Sequence, residues 1–321
     1  MNDLKIGVYA VGRMGKNHAR VLGPGTNVYD ESVKARKVAD GLGYTVHGTV
    51  NSFLDSIDAA IIAVPSKYHL EAFETCIKAD KHILLEKPMA PTLSEALKIQ
   101  DMANKREDLT VMINHIERFN PVIQELKKRI GDLEIKKIDT FRYGLGIPES
   151  KDILDDGVIN DLGVHDIDII RYIVGLWPYK INANITYNRE RSFEEIAHID
   201  THYLENDMIA SINVGWDMPK VRRVDVTTKG EHISADMITQ TLTITEPWNE
   251  KYKTFEEFIQ RSRDATKVIE IPIKQPLETM MEEFRNAVKT GEEPPVTVSD
   301  GLYTATIIDA ARRSHGRELS F

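Results

Sequence analysis

Ile6-Gly7-Val8-Tyr9-Ala10-Val11-Gly12-Arg13-Met14-Gly15-Lys16-Asn17-His18 decides the fold of this chain. Ile6 to Tyr9 is a short apolar run suited to a buried strand, and Lys16 to Leu22 follows with helical spacing. The turn between them carries the glycine-rich dinucleotide fingerprint, with Ala10 in place of its first glycine. In that pattern Gly12 lets the backbone approach a pyrophosphate, and Gly15 lets helix and strand pack closely. The helix N-terminus adds amide donors and a positive dipole. Alanine suits position 10 only if that residue keeps a negative φ. Such turns also serve plain packing, so their surroundings decide the reading.

Asp30 strengthens it. This carboxylate ends a short second strand, Asn27-Val28-Tyr29, eighteen residues after Gly12. A carboxylate there accepts from both ribose hydroxyls and repels a 2′-phosphate, and Glu31 adds to the repulsion. NAD is therefore favoured over NADP, although Ser32, Lys34 and Arg36 keep the second cofactor open. Downstream, strands at Asp58 to Val64, His82 to Leu85 and Thr110 to Ile113 alternate with helices at Lys34 to Leu42, His69 to Ala79 and Thr92 to Lys105. Thr92 and Glu95 form a capping box for the last of these. The alternation implies a doubly wound parallel α/β domain of the Rossmann type over residues 1–120.

After Asn120-Pro121 the pattern changes to strands that follow one another: Ile135 to Tyr143, Ile181 to Tyr187, His198 to Leu204, Met208 to Val214, Arg223 to Thr228, His232 to Ala235 and Gln240 to Thr245. Residues 121–321 are expected to form an α+β domain with a mostly antiparallel open sheet. Its terminal helices, near Leu277 to Lys289 and Asp300 to Ser314, can pack back on the first domain. Asp161 to Val174 reads as one amphipathic helix, with Asp161 and His165 sharing a face and Asp166 and Asp168 on its outer surface.

The chain has 321 residues, 41% of them hydrophobic and 28% charged, which is ordinary for a folded protein. A net charge of -9 without a long basic block argues against nucleic acid as a partner. No apolar run reaches the roughly 18 residues of a membrane span, and no signal-peptide pattern opens the sequence, so a cytoplasmic location is expected. Cys76, the single cysteine, cannot form an internal disulfide and reads as a packed helix residue. Two ligands at the spacing of Asp161 and His165 could bind metal, but no third ligand stands out, and no metal is expected.

Four stretches in this order resemble the glucose–fructose oxidoreductase / inositol dehydrogenase / rhizopine-catabolism (Gfo/Idh/MocA) family over nearly the whole chain. They are the glycine turn with His18, Ala63-Val64-Pro65-Ser66-Lys67-Tyr68-His69, Glu86-Lys87-Pro88, and Asn160-Asp161-Leu162-Gly163-Val164-His165-Asp166-Ile167-Asp168. The resemblance implies an NAD(P)-dependent dehydrogenase acting on CH–OH groups. It implies cofactor contacts from Val11, Gly12, Arg13, Met14, Gly15, Asp30, Val64, Pro65, His69, Glu86 and Lys87. It makes Lys87 a partner of the reacting hydroxyl, His165 the general base and Asp161 an orienting group. Imidazole suits that task because it accepts a proton near neutral pH.

Val111 to Pro121, Asp156 to Asp161, Arg142-Tyr143-Gly144 and Trp216 followed by Pro219 look most like the archaeal-type UDP-N-acetylglucosamine 3-dehydrogenase subgroup. The loop Leu145 to Asp155, on the substrate side, departs from that subgroup's pattern. Within this resemblance Arg118, Asn120, Arg142 and His165 are the substrate candidates. Either arginine could grip a diphosphate through its planar fork, or sit in an interdomain or surface ion pair. The substrate is expected to be a sugar or nucleotide sugar. A free sugar or a cyclitol such as inositol is the alternative, and a non-catalytic NAD-binding regulator the alternative of another class. The alternating face of His198 to Leu204, which family members bury between subunits, implies a homodimer or homotetramer.

Overall fold

Short apolar runs become buried strands of a sheet, and three of the helices between them open on a serine or threonine that caps a free backbone amide. The computed structural model describes residues 4–144, 146–190, 193–247 and 251–320. The chain divides into two units, Met1–Ile116 with Pro276–Asp309, and Glu117–Gln275 with Ala310–Phe321.

The first unit runs β1 (Ile6–Tyr9), α1 (Arg13–Leu22), β2 (Asn27–Tyr29), α2 (Val33–Gly41), β3 (Thr45–Val46), α3 (Val50–Leu54), β4 (Ala59–Ile62), α4 (His69–Lys78), β5 (His82–Glu86), α5 (Leu93–Asn104) and β6 (Val111–Asn114). Its six strands pair in parallel in the order β3-β2-β1-β4-β5-β6. The order reverses between β1 and β4, and in such sheets the carboxyl ends at the reversal are where ligands bind. β1, β4 and β6 are buried along their whole length, which explains their unbroken apolar runs. Ser32 caps α2 by accepting from the Ala35 amide. Thr92 caps α5 by accepting from the Glu95 amide, and its hydroxyl donates to the Glu95 carboxylate at 2.7 Å. Cys76 is fully buried in α4, and burial pushes its thiol up to about 12. β3 and α3 were not legible in advance, being too short to show a period.

The second unit opens with α6 (Pro121–Ile130), β7 (Ile135–Tyr143), α7 (Lys151–Val158) and α8 (Val164–Val174). Then come β8 (Lys180–Tyr187), β9 (Glu194–His202), β10 (Ile209–Gly215), β11 (Val221–Thr228), β12 (His232–Asp236) and β13 (Thr241–Thr245), with no α-helix between them among the described residues. α9 (Phe255–Asp264) and β14 (Thr266–Glu270) follow; α10 (Pro276–Thr290) lies in the first unit, α11 (Val298–Ser314) crosses between the two, and β15 (Glu318–Ser320) ends the described chain. The sheet has nine strands in the order β14-β13-β12-β11-β7-β10-β9-β8-β15. Every pairing is antiparallel except that of β7 with β10. Along β9, Ala197, Ile199 and Thr201 are buried while His198, Asp200 and His202 stay half-exposed. The expected strand at His198 to Leu204 therefore begins four residues earlier and ends two earlier.

Two further expectations change here. Ile159–Gly163 is a π-helical turn, so the helix predicted from Asp161 begins as a wider coil and becomes α-helical only at Val164. Residues 151–155 of the divergent segment after Gly144 belong to helix α7 rather than to a loop, and Leu145 lies outside the described residues.

Candidate active site

The glycine turn is shaped by two close backbone approaches. Ala10 donates its amide to the Tyr29 carbonyl at 2.7 Å, continuing the β1–β2 pairing one residue past the strand. A Cβ on Gly15 would lie 1.9 Å from the Ala10 carbonyl oxygen, so only glycine fits there. These constraints set Ala10 at φ 76, in the left-handed region. The expectation of a negative φ is thus corrected: the turn keeps the shape a glycine would take, and alanine bears the strain.

Gly12 precedes α1 with no side chain capping the helix, and a Cβ there would meet open space. The first amides of α1 and the room beside them suit an anion at this helix end. Val11 is buried, whereas Arg13 is exposed and Met14 half-buried. Asp30 is held close by, its Oδ2 accepting from the Val11 amide at 2.9 Å and its Oδ1 from the Ser32 amide at 2.8 Å. Arg36 directs Nη1 to the Asp30 and Glu31 carbonyls at 2.5 and 3.1 Å, so that nitrogen braces the backbone.

Glu86 ends β5 and Lys87 is the first residue beyond it, at the carboxyl edge of the parallel sheet. The Lys87–Pro88 peptide is cis. The buried Glu86 carboxylate accepts from His18 Nε2 of α1 at 2.6 Å and from Asn114 Nδ2 of β6 at 2.7 Å. Burial would raise its pKa, but the bond and charge of His18, the Asn114 amide and the neighbouring Lys87 charge hold it below the usual value. One carboxylate therefore joins the phosphate-side helix, the lysine-bearing strand and the next strand.

His69 performs a similar task on the neighbouring loop. It opens α4, is almost fully buried, and lies 2.8 Å from the Pro88 carbonyl through Nδ1 and 3.0 Å from the Val64 carbonyl through Nε2. Burial pulls its pKa below the ordinary value, while the Val64 carbonyl, the Glu86 charge and the Pro88 carbonyl work in the other direction. Val64 is half-buried and Pro65 exposed on the loop that it ties.

In the second unit Asp161 and His165 are both half-buried, Asp161 on the π turn and His165 in the first turn of α8. Asp161 Oδ2 accepts from Nε1 of the buried Trp216 at 3.1 Å, which fixes the carboxylate. The outer-surface reading of Asp166 and Asp168 is overturned, because both are buried. Asp168 takes a fork from Arg118, with Nε at 2.9 Å and Nη2 at 2.6 Å. Asp166 accepts from Arg142 Nε at 2.9 Å, while Arg142 Nη1 donates to Glu117 at 2.8 Å. Arg142 is nearly inaccessible and Arg118 largely so. The two planar forks proposed for a diphosphate are thus engaged with carboxylates inside the unit, since buried guanidinium and carboxylate groups must satisfy each other. Burial works against ionising Glu117, yet Arg142 and Asn120 hold its pKa below the usual value.

Asn120, the remaining substrate candidate, caps α6 by accepting from the Val122 amide at 3.3 Å and donates to Glu117 at 3.1 Å. Gln240 donates to the same Asn120 oxygen at 3.0 Å, so this side chain is part of the buried frame. Sequence patterns gave no sign of the Glu117–Arg142–Asp166 cluster or of the Trp216 bond, because both form between residues far apart in the chain. Among the described residues no group of three or more His, Cys, Asp or Glu is arranged to hold a metal ion. No described helix is long and apolar enough to cross a membrane.

Comparison with known proteins fits this geometry. A profile for an oxidoreductase family with an NAD-binding Rossmann fold matches residues 4–115, and one for the family's C-terminal alpha/beta domain matches residues 129–319. The chain is 32% identical over 191 residues to UDP-N-acetylglucosamine 3-dehydrogenase of Acidithiobacillus ferrooxidans, a match covering 57% of this chain and 58% of that relative. A solved structure of that organism's UDP-N-acetylglucosamine 3-dehydrogenase GnnA superposes with a TM-score of 0.83, at 25% identity over 97% of each chain. Myo-inositol 2-dehydrogenase of Thermotoga maritima is 23% identical, covering 97% of this chain and 96% of its own.

Proposed function

The chain belongs to the Gfo/Idh/MocA family of NAD-binding oxidoreductases, and from that premise we propose that it oxidises carbon 3 of UDP-N-acetylglucosamine with NAD. The observation that carries the substrate is the similarity to the Acidithiobacillus ferrooxidans enzyme of that activity. NAD, when bound, accepts the hydride.

The protein's part is placement and proton handling. Lys87, at the strand edge behind the Glu86 anchor, hydrogen-bonds the reacting hydroxyl and stabilises its oxygen as charge develops. His165 takes the hydroxyl proton, and Asp161, steadied by Trp216, orients the reacting groups. The open N-terminus of α1 holds the cofactor pyrophosphate through Val11 to Gly15. Asp30 and Glu31 favour the unphosphorylated ribose, while Arg36 Nη1 is engaged with backbone carbonyls. Val64 and Pro65 would contact the cofactor from the loop that His69 ties. The polar face of the nine-stranded sheet, with His198, Asp200 and His202, is the surface on which a homodimer or homotetramer forms.

The match to an inositol dehydrogenase across almost the full chain supports a second reading, in which the substrate is a cyclitol or free sugar. Mass spectrometry of products formed with NAD from UDP-N-acetylglucosamine, UDP-glucose, glucose and inositol separates them. A product two hydrogens lighter is expected from UDP-N-acetylglucosamine. Oxidation of inositol or glucose alone replaces the substrate, and no product from any of them points to a regulator.

A further inference from the structure

With Arg118 and Arg142 engaged, one guanidinium of the second unit stands out. Arg222 lies directly opposite Arg142 in the β7–β11 register. Its side chain is 30% exposed, and its Nη1 lies 4.0 Å from Glu117 Oε1. That oxygen already accepts from Arg142 at 2.8 Å, and Arg222 donates no side-chain hydrogen bond to any described residue. Partial burial and, after it, the positive field of Arg142 work against its charge, while Glu117, Asp166 and Asp161 support it. A guanidinium carries five donors and no acceptor, and the exposed part of Arg222 leaves donors open to water or to the acceptors of a ligand that displaces it. Across β7, Arg142 also pairs with Val214 of β10, two residues before the Trp216 that holds Asp161, so Arg222 stands two strands away from a group of the proposed reaction.

We propose that Arg222 binds a phosphate oxygen of the substrate's diphosphate. The proposal rests on the nucleotide-sugar reading and identifies the residue that would recognise the nucleotide part. Arginine suits this role because its planar fork pairs with phosphate in two parallel bonds, which a lysine cannot reproduce.

The test titrates NADH-loaded protein with UDP by calorimetry, for the native chain, R222Q and R222K, and records their melting temperatures and steady-state kinetics. R222Q should bind UDP about 10- to 100-fold more weakly, the usual effect of losing a charge-assisted hydrogen bond. R222K should recover part of the affinity, both variants should melt near the native temperature, and KM for UDP-N-acetylglucosamine should rise more than kcat falls. Native UDP affinity in R222Q overturns the proposal. Should R222Q fail to fold, native affinity in R222K overturns it instead. Native protein that binds no UDP and oxidises only inositol removes the nucleotide-sugar reading and this proposal together. Native protein that oxidises UDP-N-acetylglucosamine, with unaltered affinity in the variants, removes this proposal alone.

Discussion

Ala10→Gly should leave the protein as stable as before or more so, although exchanging alanine for glycine ordinarily weakens a fold. Ala10 sits at φ 76, where an L-residue costs about 1–2 kcal/mol relative to the right-handed region. Glycine removes that cost but restores freedom to the unfolded chain, worth about 0.4–1 kcal/mol. The methyl group of a half-buried alanine adds roughly 0.4 kcal/mol of lost burial, half the value of a fully buried methylene. The balance runs from a loss of about 0.4 to a gain of about 1.2 kcal/mol, with its middle at a gain of about 0.4. Urea unfolding followed by far-ultraviolet circular dichroism measures it, and NADH fluorescence titration shows whether the phosphate turn survives. Because Gly15 must meet the Ala10 carbonyl, cofactor affinity should be retained. A loss of about 1 kcal/mol, the usual effect at a negative-φ position, would refute the reasoning.

Lys87→Ala should lower turnover by about 100- to 10,000-fold while NADH affinity stays within a few-fold, since the lysine acts on the reacting oxygen. Near-native turnover sinks that role. His69 has a depressed pKa because it is buried. Its contribution to stability is therefore complete above the unfolded value near 6.5 and is lost as pH falls toward the folded value. Urea midpoints at pH 7.5 and 5.5 should differ less in His69→Gln than in the native chain, and equal differences contradict the assignment. Arg142→Met leaves Glu117 and Asp166 buried without their shared cation, and should cost about 3–5 kcal/mol in urea unfolding. A cost under about 1 kcal/mol would mean that the cluster rearranges freely.

The first unit was largely legible because its cues are local. Gly12 and Gly15, the Asp30 carboxylate and the unbroken apolar strands each follow from local sequence, and β1, α4, β5 and β6 fall within a residue or so of their expected bounds. What could not be read depends on contacts across the chain. Nothing near Asp166 or Asp168 in sequence announces Arg142 or Arg118 as a partner, so their charge alone suggested a solvated face. The same blindness made both arginines look available for substrate. The π turn at Ile159–Gly163 leaves no mark in a helical pattern, because the same apolar residues serve either coil. Ala10 misled for the opposite reason. Its local preference is clear, but the bond to Tyr29 and the approach of Gly15 override it.

The central claim is hydride transfer from carbon 3 of UDP-N-acetylglucosamine to NAD. UDP-N-acetylglucosamine deuterated at that carbon, incubated with the protein and NAD, tests it in one step. The account predicts reduced cofactor carrying the deuterium, one mass unit heavier than ordinary NADH, beside a sugar nucleotide oxidised at the labelled position. Unlabelled NADH beside an oxidised sugar nucleotide would contradict the site of oxidation, and no reduced cofactor at all would contradict the substrate.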